Sequence, residues 1–109
     1  MTRFMLLFPA MVIAMSAMAQ ETYTVLSSGA TSCGTFLKES DRLQSDDLFW
    51  VEGFLTGANA FSAEKHAGRG VDYEARKLWL SNYCTAHPLD HLIDATQALR
   101  DELINKADP

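Results

Sequence analysis

The chain has 109 residues, of which 14 are Asp or Glu and 9 are Lys or Arg, so its formal net charge at pH 7 is −5. A chain of this length forms one small domain, and its acidic balance argues against nucleic acid and anionic lipid as partners. It contains two cysteines and has neither an internal repeat nor a low-complexity segment.

Residues 1–19 have the pattern of a secretory signal peptide. Arg3 precedes an apolar run from Phe4 to Ala14, and small residues end the segment at Ala19. The apolar run is shorter than the roughly 20 residues of a membrane-spanning helix. We therefore expect cleavage after Ala19 and a soluble periplasmic protein. Its mature chain would carry 8 basic against 14 acidic residues, a net charge of −6.

The next segments predict a short arm followed by a helical domain. Residues 20–31 contain an alternating stretch around Tyr23 and then Ser and Gly, which favours an extended or flexible arm. Ser32 is a suitable N-cap for a first short helix that continues toward Arg42. The helical domain is expected to cover residues 32–105.

A second, central helix is predicted for the stretch "SDDLFWVEGFLTGANAFSAEK". Ser45 is the expected N-cap, and Asp46 and Asp47 follow where the helix dipole favours negative charge. Gly53 and Gly57 lie one turn apart and lower helix propensity unless another helix passes close to them. We expect such a helix crossing. The alternative is that this flat face takes a ligand or a partner.

Two further helices complete the predicted fold. Asp72 is the expected N-cap of the third helix, which ends before Pro88 because the residue before a proline disfavours helical angles. Pro88 is then expected as an early residue of a fourth, amphipathic helix. No β-rich run follows the arm, so the sequence predicts an all-α domain of four helices.

The two cysteines, Cys33 and Cys84, lie 51 residues apart. An oxidising compartment favours a disulfide between them. A metal site would need further ligands at short spacing, and a redox pair usually has the spacing C-x-x-C. The predicted bridge would tie the first helix to the end of the third, and closing a loop of this length is worth about 4 kcal/mol.

Other candidate chemistry is sparse. His87, His91 and Asp94 could place three metal ligands near one helix start, but a solvated polar face is the simpler interpretation. No motif for nucleophilic catalysis or phosphate binding is present. We therefore expect no catalytic residue, no metal site and no cofactor, and predict that the protein is not an enzyme.

Several motifs together resemble the HdeA/HdeB family of periplasmic acid-stress chaperones. They are "TSCGTFL", "LFWVEGFL", a Gly-containing loop that ends in Asp72, and "YCTAHP", and the resemblance covers roughly residues 31–103. It implies a four-helix protein with one disulfide, a homodimer near neutral pH, and apolar surface that acid exposes to unfolding client proteins. The binding surface expected on this basis comprises Trp50, Phe54, Gly57, Phe61 and Trp79.

The element "GFLTG", followed by Cys84 and Pro88 before an amphipathic helix, is also similar to Rap/Tai-type immunity proteins. In that alternative Gly53, Phe54 and Gly57 match, and the protein would block one secreted cell-wall-degrading effector. A third alternative is an exported helical module with another binding function. In each case the expected partners are proteins.

Overall fold

The computed structural model describes residues 22–63 and 67–106, so the predicted signal peptide and the first two residues of the arm lie outside the described residues. Within these ranges the chain forms four α-helices and no β-strand beyond an isolated bridge, which confirms the predicted all-α, four-helix domain. None of the helices in these ranges has the length and apolar character needed to cross a membrane. The elements are an N-terminal 3₁₀ turn (Ser27–Ala30), α1 (Cys33–Lys38), α2 (Asp41–Phe61), α3 (Tyr73–Ala86) and α4 (Leu92–Asn105).

Polar side chains cap the starts of three helices. The Ser32 hydroxyl accepts a hydrogen bond from the backbone N–H of Thr35 at 3.1 Å, and the Asp72 carboxylate accepts one from Ala75 at 2.8 Å. Such caps satisfy N–H groups that have no partner within the helix. The predicted N-caps of the first and third helices are therefore confirmed.

The predicted boundary between the first two helices is wrong. The first helix does not reach Arg42 but ends at Lys38, because Glu39 and Ser40 adopt extended backbone angles. The Ser40 hydroxyl then accepts from the N–H of Leu43 at 3.5 Å and caps α2, which begins at Asp41. Ser45, the predicted N-cap, lies inside α2.

Pro88 is not an early residue of the last helix, as the sequence suggested, but part of the loop between α3 and α4. The carbonyl groups of Pro88 and Asp90 accept hydrogen bonds from the backbone N–H groups of Gly34 at 3.0 Å and Cys33 at 2.7 Å. These are N-terminal N–H groups of α1 that have no acceptor within their own helix. The loop forms a turn that supplies those acceptors, and α4 starts only at Leu92.

The predicted Cys33–Cys84 disulfide is confirmed, and it lies at the centre of the core. Both cysteines are fully buried, and their Cα atoms are 4.8 Å apart. The bridge joins the first residue of α1 to the last turn of α3. Side chains from all four helices surround it, chiefly Phe36, Leu48, Val51, Leu55, Leu80, Leu92 and Leu99.

The helix crossing predicted at Gly53 and Gly57 is wrong. At both positions a Cβ atom would have no other atom within 4 Å, apart from the helix's own backbone, because no neighbouring helix covers this side of α2. The glycine that does permit a close approach is Gly29, in the N-terminal 3₁₀ turn. A Cβ there would overlap the Trp50 ring and lie 2.6 Å from a methyl group of Val25. Close packing therefore occurs between this turn and α2.

Candidate functional site

One face of α2 is apolar and uncovered. Phe49, Gly53, Gly57 and Phe61 are each four residues apart and therefore share one side of the helix. The side chain positions of the two glycines are open, and Phe49 and Phe61 are 67% and 95% exposed. We call these four residues the α2 outer face. It extends for roughly 18 Å at about 1.5 Å per residue.

An aromatic pair lies beside this face. The rings of Trp50 and Phe54 are stacked, with their centroids 5.6 Å apart. Trp50 is held from the other side by the 3₁₀ turn, since its ring fills the space next to Gly29. Phe54 therefore packs against a ring that is itself in close contact with the 3₁₀ turn.

Between α2 and α4 there is an open groove of about 520 Å³. The α2 side contributes Phe54, Ala58 and Phe61, and the α4 side is polar. On that side Arg100 donates a hydrogen bond to the Ser62 hydroxyl at 3.1 Å. The groove thus combines an apolar wall, continuous with the α2 outer face, with a polar wall that carries both signs of charge.

Of the predicted surface residues, four come together and one does not. Trp50, Phe54, Gly57 and Phe61 all lie on α2. Trp79 lies on α3, where its ring stacks on Tyr83 at 5.7 Å and lines a separate groove beside α4. Phe49 was missed by the sequence reasoning, although its position four residues before Gly53 is the signal that places it on the same face.

A partly buried ion pair positions α3 against α2. Arg76 donates to both carboxylate oxygens of Glu52, at 2.8 and 2.9 Å, and also to the carbonyl group of Val71. The side chains are 17% and 30% exposed, so water screens the pair only in part. Arg76 thereby fixes the loop before α3 and the middle of α2 with one side chain.

Two carboxyl groups meet at the corner between α1 and α2. Asp47 is 7% exposed, and its side chain faces that of Glu39. A hydrogen bond with Asp47, burial, and the Asp47 charge raise the pKa of Glu39 from 4.5 to about 7. The sequence reasoning missed this pair, because it placed Asp47 in the first turn of the second helix. That helix in fact begins at Asp41, six residues before Asp47.

The three residues considered as metal ligands have other roles. The Asp94 carboxylate accepts from the backbone N–H of His91 at 2.8 Å and helps to cap α4. His87 ends α3, with its ring 4.4 Å from that of Tyr83. Tyr83 donates to Asp90 at 2.6 Å, and this bond, burial and nearby carboxylates raise the pKa of Tyr83 to about 12. Within the ranges that the structure describes, no three His, Cys, Asp or Glu side chains converge as metal ligands.

Comparison of the chain with family models, with curated proteins and with solved structures found no match.

Proposed function

We propose that the chain is an exported, non-enzymatic binding protein that takes apolar segments of other proteins on the α2 outer face. The observation that carries this proposal is the exposure of Phe49 and Phe61 on either side of two uncovered glycines. Glycine in a helix interior costs about 1 kcal/mol relative to alanine, and no contact in the described residues offsets that cost at these positions. A partner that packs closely against the helix backbone would offset it.

The available binding energy is of a useful size. Full burial of a phenylalanine side chain contributes roughly 1.5–3 kcal/mol, so Phe49 and Phe61 together would contribute roughly 3–6 kcal/mol before the costs of association. Side chains of a partner can reach the α2 backbone at the glycines. Phe54 and the groove beside α4 extend the contact toward polar groups.

The more specific form of the proposal is an acid-activated chaperone that holds unfolding client proteins, as the resemblance to HdeA/HdeB implies. Its physical support is the charge balance. The mature chain would change from −6 to about +11 when its carboxylates and three histidines are protonated. Protonation of Glu52 also removes the ion pair with Arg76. The disulfide would keep α1 and α3 joined while other contacts separate.

A second candidate is an immunity protein that blocks one cell-wall-degrading enzyme. The observation that favours it is that the α2 outer face is uncovered in the folded state, so binding there needs no acid opening. The chaperone requires activity mainly in acid, whereas the immunity protein requires one tight complex at neutral pH. Measurements at the two pH values separate these functions.

The test combines two assays with matched variants. In the first, aggregation of an acid-denatured client enzyme is followed by light scattering at about pH 2–3 and at pH 7. In the second, binding to peptidoglycan hydrolases is measured at pH 7. A double variant, Phe49→Ser with Phe61→Ser, should lose the activity that the wild type shows. Leu89→Ser is the control, because Leu89 is 90% exposed but lies in the loop before α4.

The outcomes are distinct. Suppression of aggregation in acid, lost in the double variant and kept in the control, supports the chaperone. A tight complex with one hydrolase at pH 7, with no effect on clients in acid, supports the immunity protein. If the double variant suppresses aggregation and binds hydrolases as well as the wild type does, the α2 outer face is not the binding surface. Self-association through this face would appear in the same samples as a homodimer in light scattering.

A further inference from the structure

The corner between α1 and α2 contains two carboxyl groups that face each other, and one buried oxygen of each lacks a hydrogen-bond donor when both groups are ionised. Glu39 is one of only two residues between these helices, and Asp47 lies in the second turn of α2. Oε2 of Glu39 and Oδ2 of Asp47 are both buried, and neither has a hydrogen-bond partner among the described residues. Asp47 is 7% exposed, so water has little access to its carboxyl group.

Two ionised carboxylates are unfavourable in this position. Each would be buried without a donor, and the two negative charges would repel each other. One proton removes both problems, because the protonated carboxyl group donates its O–H to the other. The proton then belongs to the pair and not to either residue alone.

We propose that Glu39 and Asp47 share one proton and form a latch, which holds the α1–α2 corner closed in mild acid and loosens it when both groups ionise. The latch acts on α2, the helix that carries the α2 outer face, and on α1, which carries one end of the disulfide. It is independent of the proposed binding function.

The surroundings leave Asp47 as the main charge acting on Glu39. On the same two helices, Lys38 and Asp46 are exposed. On the elements packed against them, several charged or titratable groups are engaged with one another: Arg76 with Glu52, Tyr83 with Asp90, His91 with Asp94, and Lys106 with Glu102. Among the described residues, the hydrogen bond and charge of Asp47, with burial, account for the raised pKa of Glu39.

Because the pKa of Glu39 is raised in the folded chain, the latch stabilises the fold more at low pH than at high pH. The folded chain holds the proton more tightly than the unfolded chain, in which the pKa of Glu39 returns to about 4.5. The contribution of the latch is therefore complete below about pH 4.5, declines as the pH rises toward 7, and is absent above that. Over this window the folding equilibrium constant should fall on the order of 100-fold with rising pH. The latch thus opposes unfolding in mild acid.

Thermal unfolding between about pH 4.5 and pH 8.5 tests the latch. The wild-type Tm should decline as the pH rises. Glu39→Gln should remove much of that decline, because the introduced amide donates to Asp47 at every pH. Glu74→Gln, at an exposed position in the first turn of α3, is the control and should keep the wild-type slope. A Glu39→Gln slope equal to that of the wild type would overturn the proposal.

A second measurement does not depend on any variant. Carboxyl ¹³C shifts of the folded wild-type protein should show the Glu39 carboxyl group titrating with a midpoint near 7. If Glu39 titrates near the ordinary carboxyl value of about 4, the shared proton does not exist.

Discussion

Replacing Gly29 by alanine adds one methyl group at the closest contact between the 3₁₀ turn and α2. The new Cβ would overlap the Trp50 ring and lie 2.6 Å from a methyl carbon of Val25. The backbone of Gly29 lies outside the left-handed region, so the substitution introduces a clash and no dihedral strain. Overpacking of this kind typically costs about 1–3 kcal/mol. We expect Gly29→Ala to destabilise the protein by that amount.

The matched control is the same substitution at Gly53. This residue lies on the α2 outer face, where the sequence predicted a close helix crossing and the structure shows none. A Cβ there meets no other atom within 4 Å, so the gain in helix propensity is unopposed. Gly53→Ala should therefore stabilise the protein by about 0.5–1 kcal/mol. The same chemical change is expected to have opposite signs at two positions.

Urea unfolding followed by tryptophan fluorescence measures both variants, and Trp50 reports directly on the contact with Gly29. For a domain of this size, a change of 1 kcal/mol corresponds to a shift in Tm of about 4–8 °C, which calorimetry resolves easily. A Gly29→Ala protein as stable as the wild type would show that the turn can move away from Trp50. Destabilisation by Gly53→Ala would show that α2 is covered after all.

Two further predictions concern the bridge and the tyrosine. Reduction of the Cys33–Cys84 disulfide should lower the free energy of unfolding by about 4 kcal/mol, measured as the difference in Tm with and without reductant, and an unchanged Tm would contradict it. Asp90→Asn removes the carboxylate that Tyr83 contacts, so the pKa of Tyr83 should fall from about 12 toward its ordinary value of about 10. An absorbance titration of the variant measures this pKa. A pKa that stays at about 12 would show that Asp90 is not the cause of the shift.

The limits of the sequence reasoning are clear at the start of α2. Ser40 and Ser45 are each followed directly by an acidic residue and, three positions after the serine, by a leucine, so local chemistry fits either as an N-cap. The choice depends on a contact across the corner. The Gln44 side chain donates to the carbonyl group of Phe36 at 2.9 Å, which satisfies the end of α1 and requires Gln44 to be helical already.

The candidate site was only partly predictable for a similar reason. Helical spacing correctly placed four of the expected surface residues on α2, because that periodicity depends on the helix alone. Whether Gly53 and Gly57 are covered depends on how other helices pack, and the sequence carries no local signal for that. Glu39 and Asp47 meet across a helix break, so neither helical nor strand spacing brings them together.

The contacts of α1 have a consequence for the order of folding. Six residues are too few for a helix to persist alone, since nucleation costs more than one turn of hydrogen bonds returns. The N–H groups of its first two residues, Cys33 and Gly34, find their acceptors in the loop at Asp90 and Pro88, more than 50 residues along the chain. The chain between α1 and this loop must therefore close before α1 can form. Helices α3 and α4 are neighbours in the chain and can pair before that closure. We therefore expect the shortest helix to form last and to complete the core that the other three leave open.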